Sequence, residues 1–180
     1  GAIGAGWSIS GGSLTNATDR SGGTVADAVT AGGACYYYFT NTVLGNYQLS
    51  SGFRAPDISQ NSVWLAVDAA GGVPTDPTMI WDMVTNAAWQ TNYVSWRGSG
   101  TAEADQYSPL VISNLSAGVH QLVVVAREVG VALNRFTFVS LGSVPPSITG
   151  QPVSLSVRTN TAATFTVTAT GTAPLTYQWS

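Results

Sequence analysis

Between Met79 and Gly98 four aromatic residues, Trp81, Trp89, Tyr93 and Trp96, are interleaved with Asp82, Asn86 and Asn92. Aromatic rings beside amides and carboxylates suit sugar recognition, because the apolar face of a sugar stacks on the ring while its hydroxyls pair with the polar groups. The competing reading makes each ring part of the core, and at any single position the two stay open. Trp64 with Asp68 is a second candidate, on the less apolar face of Asn61–Asp68. There the ring reads either as a ligand platform or as aromatic cover over a gap between strands.

Bond-breaking chemistry finds less support. Glycoside hydrolysis needs two carboxylates about 5–10 Å apart beside a cleft. The carboxylates near the aromatic stretch are Asp82, Glu103 and Asp105, and nothing in their spacing pairs them. Cys35 and His120 are the sole residues of their types and bear no sequence relationship to one another. Cys35 is expected to be a small buried hydrophobe rather than a nucleophile. One cysteine and one histidine make neither an internal disulfide nor a zinc cluster of Cys/His type. The expectation is a protein without catalytic residues. Ser99–Ser108 reads as a solvated loop; the alternative, in which Glu103 and Asp105 supply ligands to a structural calcium, lacks EF-hand spacing.

The composition narrows the partners. Net charge is −3, and the six basic residues are arginines scattered from Arg20 to Arg158. Nucleic-acid binding needs a clustered positive footprint, and none exists here. No apolar run of membrane-spanning length and no signal-peptide pattern occurs in the sequence. Few charges and abundant Ser, Thr, Asn and Gly match a secreted bacterial chain, so the expected location is extracellular or at the cell surface, with any targeting segment removed or outside this sequence.

Positioning of the candidates falls to strands. Trp7 and Ile9 read as an edge strand ending at Gly11–Gly12, and Val25–Val29 as another short one. Ala34–Thr40, Gly45–Ala55 and Asn61–Asp68 alternate with period two, as strands do. Pro109–Ser113 reads as a short strand. Gln121–Ala126 and Leu133–Val139 flank a turn at Gly130 and read as a hairpin in the middle of a sheet. After a linker at Leu141–Pro146, Phe165, Val167 and Ala169 alternate with threonines, and Tyr177 and Trp179 open a further strand. The expected division is 1–143 and 144–180.

Two resemblances follow from these pieces. YYYF, GNYQL, NSVWLAVD, the tryptophan-containing stretch and LSAGVHQLVVVAREVGVALNRF occur in an order that resembles the galactose-binding-like jelly-roll modules, in particular carbohydrate-binding modules of families 6 and 35. Gly118, His120, Leu122 and Val124 fall on the family pattern "G-x-H-x-L-x-V", and Leu133 and Asn134 on its "Leu-Asn". The resemblance implies a β-sandwich that binds polysaccharide or oligosaccharide. It nominates Trp81, Trp89, Tyr93 and Asn134, with Trp64 and Asp68 as concave-face contributors, and it makes His120 a structural strand residue. The family's carboxylate for structural calcium has no counterpart in residues 1–33. From Pro146 the chain resembles the opening of bacterial immunoglobulin-like domains: Pro146, Ile148, Gln151, Pro152, a Thr-rich strand at Ala163–Ala169, then Gly171, Pro174, Leu175, Tyr177, Gln178 and Trp179. That resemblance implies a spacer in a surface protein, with Trp179 as a core tryptophan.

The combined expectation is all-β: an antiparallel jelly-roll sandwich followed by an incomplete immunoglobulin-like sandwich. Its function would be non-catalytic glycan binding. The alternative is a structural or adhesion protein of the cell surface, a self-assembling filament or layer subunit that associates through open strand edges.

Overall fold

The computed structural model describes residues 3–74, 79–97, 109–172 and 174–179. Among them is an all-β, curled, jelly-roll-like body made of two antiparallel sheets. The six-stranded sheet has the order β1 (Trp7–Ser10), β2 (Ser13–Asn16), β10 (Ala132–Ser143), β4 (Gly45–Ala55), β7 (Asn86–Tyr93), with β8 (Val111–Leu115) also on β4. The four-stranded sheet runs β3 (Ala34–Asn41), β9 (Gly118–Ala126), β5 (Ser62–Val67), β6 (Ile80–Asp82). Alternation turns Val63, Leu65, Leu122 and Val124 from the smaller sheet toward Leu49, Phe53 and Leu133 from the larger, and these side chains share one buried cluster. Burying each contributes roughly 1.5–3 kcal/mol.

Strand β9 explains why its sequence is an unbroken apolar run. Leu122 and Val124 face the larger sheet, while Val123 and Val125 point the other way and are equally buried. The cover on that second face is the helix α1 (Val25–Thr30), through Val25 and Ala28. Residues 25–29 are thus helical, not the expected strand. Thr24 accepts from the Asp27 amide, and the Asp27 carboxylate accepts from the Thr24 amide, a reciprocal cap that starts the helix.

The expected β9–β10 hairpin does not form either. β9 pairs with β3 and β5, whereas β10 pairs with β2 and β4. The connection around Gly130 passes from one sheet to the other, because Val131 and Leu133 are drawn into the core between them. β10 also carries a register shift between Leu133 and Arg135. The extra residue, Asn134, lets Leu133 and Phe136 both face inward despite a spacing of three.

Among the described residues of the C-terminal stretch, only β11 (Ser147–Gly150) and β12 (Thr168–Thr170) pair, as a separate two-stranded sheet. The expected strand at 163–169 is reduced to its last residues and one beyond, and Trp179 is 60% exposed rather than a core tryptophan. Two strands offer no facing layer against which to bury a ring. Thr172 ties this sheet to the main body: its hydroxyl donates to the Leu44 carbonyl and accepts from the Val144 amide.

Candidate functional site

Inward and outward residues of the six-stranded sheet follow from its register. Phe53 and Leu49 of β4 are in the core, so Gly52 and Arg54 face outward. Thr91 of β7 and Arg135 of β10 lie opposite Gly52 on either side, and Trp89, two residues before Thr91, shares their face. The result is a shallow depression of about 390 Å³ lined by Trp89, Gln90, Thr91, Asn134 and Arg135. Trp89 is 44% exposed, and the Arg54 guanidinium carbon stands 6.0 Å from the centre of its ring. Gly52 lowers the floor: the Asn134 side chain lies where a Cβ at residue 52 would be.

Of the residues expected to contact ligand, the structure brings Trp89 and Asn134 together. Tyr93 is on the same face of β7, half-buried and four residues along from Trp89. The other three lie elsewhere, each held by other work.

Trp81 is fully buried between the sheets, with its ring meeting Phe53 edge-on at 5.2 Å and 75°. Its indole N–H has no hydrogen-bond partner among the described residues. Trp64 does face away from the inter-sheet core, as its alternation predicts, but it is only 1% exposed. It belongs to the cluster that α1 covers, and Arg127 lies 5.7 Å from its ring centre. A platform reading fails for both, since neither ring face is reachable.

Asp68 is committed to a turn. One carboxylate oxygen lies 2.6 Å from His120 Nδ1 and the other accepts from the Gln121 amide at 2.9 Å. These bonds hold Asp68 at φ 50°, an uncommon conformation for a residue with a side chain. His120 Nε2 is 2.9 Å from the Ser116 carbonyl. Both of its partners are acceptors, so a ring that makes both bonds carries two protons. Burial disfavours that charge, but the hydrogen bonds to Asp68 and Ser116 and the attraction of the carboxylate outweigh it and raise the His120 pKa. His120 lies on β9 with both ring nitrogens hydrogen-bonded within the fold.

The remaining chemistry-bearing residues are also occupied. Asp82, 2% exposed, forms a two-point pair with Arg97 at 2.6 and 2.5 Å. Cys35 is fully buried, and that burial raises its thiol pKa against the opposing contact from the Gly4 amide. Among the described residues no group of three or more His, Cys, Asp or Glu could hold a metal ion. Glu103 and Asp105, the candidate calcium ligands, lie outside the described residues. Among the described residues no helix is long and apolar enough to cross a membrane.

No protein-family model, curated protein or solved structure matches the chain.

Arg54, Thr91, Arg135 and Gly52 line or adjoin the depression and are not among the residues that the sequence nominates. A signal for part of this existed. In Leu133-Asn134-Arg135-Phe136-Thr137-Phe138 the apolar spacing goes from three to two, which marks a bulge and puts two polar residues in succession at the sheet surface.

Proposed function

We propose that the chain is a non-catalytic module that binds polysaccharide or oligosaccharide on the outer face of the six-stranded sheet. The observation that carries this reading is Trp89: a large ring left half open on a strand, beside Asn134, Thr91 and two arginines, over a floor lowered by a glycine. A pyranose stacked on the indole would place its hydroxyls within reach of the amide, the hydroxyl and the guanidinium groups. Tyr93 extends the face along β7 and suits a second sugar unit. The kinship suggested by the sequence, to carbohydrate-binding modules of families 6 and 35 with an immunoglobulin-like spacer, fits an extracellular or surface-attached protein. The test is binding to a panel of soluble and insoluble polysaccharides, with Trp89→Ala and Asn134→Ala as the decisive variants. Saturable binding that both substitutions weaken supports the proposal, and an affinity indifferent to both would remove it.

A second reading, self-association through strand edges, is favoured by one specific feature. β2 covers β10 only at Ala132 and Leu133, so among the described residues the rest of that flank of β10 has no strand beside it. Val153, Leu155 and Val157 alternate with serines in a stretch outside any strand and are 84%, 49% and 44% exposed. Such a segment could add to an open edge of another copy. Concentration-dependent sedimentation, abolished by Leu155→Asp, would establish it.

A further inference from the structure

The same uncovered flank of β10 opens a second cavity, on the other side of the sheet from Trp89. β3, at the edge of the four-stranded sheet, and β10 beyond Leu133 both lack a neighbouring strand on this side among the described residues. Between them lies a cleft of about 450 Å³, which is within the size range of small-molecule sites. Its walls are rings. Phe39 stacks on Phe138 at 4.0 Å and 25°, and Tyr37 meets Phe136 at 6.2 Å and 52°. Ile9 and Leu14 of the β1–β2 hairpin close it from the side.

The polar residues of its lining are Ser13, Asn134 and Arg135, of which Arg135 is the one charged side chain. Arg135 has no ion pair among the described residues. Burial, with a smaller push from Cys35, raises the Tyr37 phenol to about 12, so the wall stays neutral at ordinary pH. A flat apolar body can lie against the exposed edges of these ring pairs, and an anionic head beside it would meet the Arg135 guanidinium.

We infer that this cleft binds a flat aromatic carboxylate, with its ring among Tyr37, Phe39, Phe136 and Phe138 and its carboxylate on Arg135. This cavity is distinct from the depression at Trp89 but shares Asn134 and Arg135 with it, so an anion held here and a glycan held there would compete for Arg135.

The test is titration of the whole chain with 2-naphthoate, and with 2-naphthamide as its uncharged counterpart, by calorimetry and by NMR of the labelled protein. Expected are one saturable site, shifts centred on Leu14, Phe136 and Phe138, and affinity about tenfold weaker for the amide and for Arg135→Gln, the usual scale for losing one charge-assisted hydrogen bond. Arg135 is exposed, so that variant should fold normally. Ser13→Trp, which puts a ring in the mouth, should abolish binding, while Trp89→Ala should leave it unchanged. Absence of saturable binding at millimolar naphthoate, equal affinity for acid and amide, or shifts confined to the Trp89 face would each overturn the inference. So would loss of naphthoate binding in Trp89→Ala, which would merge this site with the glycan site.

Discussion

Replacing Trp81 by alanine should damage the fold rather than the binding surface. The ring is fully buried and packs edge-on against Phe53. Truncating a tryptophan so placed costs about 3–5 kcal/mol, the sum of lost transfer energy and the cavity left behind. One term works the other way: the indole N–H lacks a partner among the described residues, and removing such a donor recovers about 1–3 kcal/mol. The expected net loss is about 0–4 kcal/mol, centred near 2, a sizeable share of the roughly 5–15 kcal/mol that a domain commands. Trp81→Phe keeps a ring against Phe53 and also discards the orphan donor, so it should stay within about 1 kcal/mol of the parent. Urea unfolding followed by circular dichroism gives both numbers, provided the slope is unchanged between variants. A Trp81→Ala protein more stable than the parent, or one less impaired than Trp81→Phe, would refute the placement of this ring in the core.

Three further perturbations follow from the same structure. The His120 pKa is raised on folding, so its contribution to stability is complete below the ordinary histidine value of 6.5 and is lost as pH rises through the higher folded value. Urea midpoints between pH 5 and 9 should therefore fall on the alkaline side, and Asp68→Asn should flatten that slope; an unchanged slope would separate Asp68 from the titration. Thr24→Ala removes one arm of the α1 cap and should cost about 1 kcal/mol, with a red shift of tryptophan emission if loosening α1 uncovers Trp64. An unshifted spectrum at equal stability would mean that the cap does not hold the cover in place. Gly52→Ala meets the end of the Asn134 side chain, which can swing away, so it should leave stability nearly unchanged while weakening glycan affinity severalfold in the assay applied to Trp89. Unaltered affinity would take Asn134 out of the site.

Much of the strand framework was legible because alternation is a local signal. Val63 and Leu65 face one way and Trp64 and Ala66 the other, as period two requires. Alternation could not say whether the second face was open. That depends on α1, whose short apolar pattern at 25–29 resembles a strand although Thr24 and Asp27 stand at capping-box spacing. The fate of Trp64 was therefore decided by a segment about forty residues away in sequence. Trp81 posed a similar ambiguity: ring, amide and carboxylate lay close together in sequence, but Asp82 was answering Arg97 and the indole was answering Phe53. The β9–β10 connection was misread because two apolar strands joined by a glycine turn look alike whether they pair with each other or cross between sheets. Trp89 and Asn134, which line the outer depression, are nameable from sequence, while Arg54 and Arg135 come together with them only through cross-strand register.

The most direct test of the glycan-binding reading is affinity electrophoresis and calorimetry of the whole chain against a polysaccharide panel, run in parallel for the parent and Trp89→Ala. The account predicts saturable binding to at least one glycan in the parent, lost or weakened by about tenfold or more in Trp89→Ala, the scale of one lost ring stack, with identical urea midpoints. Binding that survives Trp89→Ala at full strength, or a folded parent that binds no glycan on the panel, would contradict it.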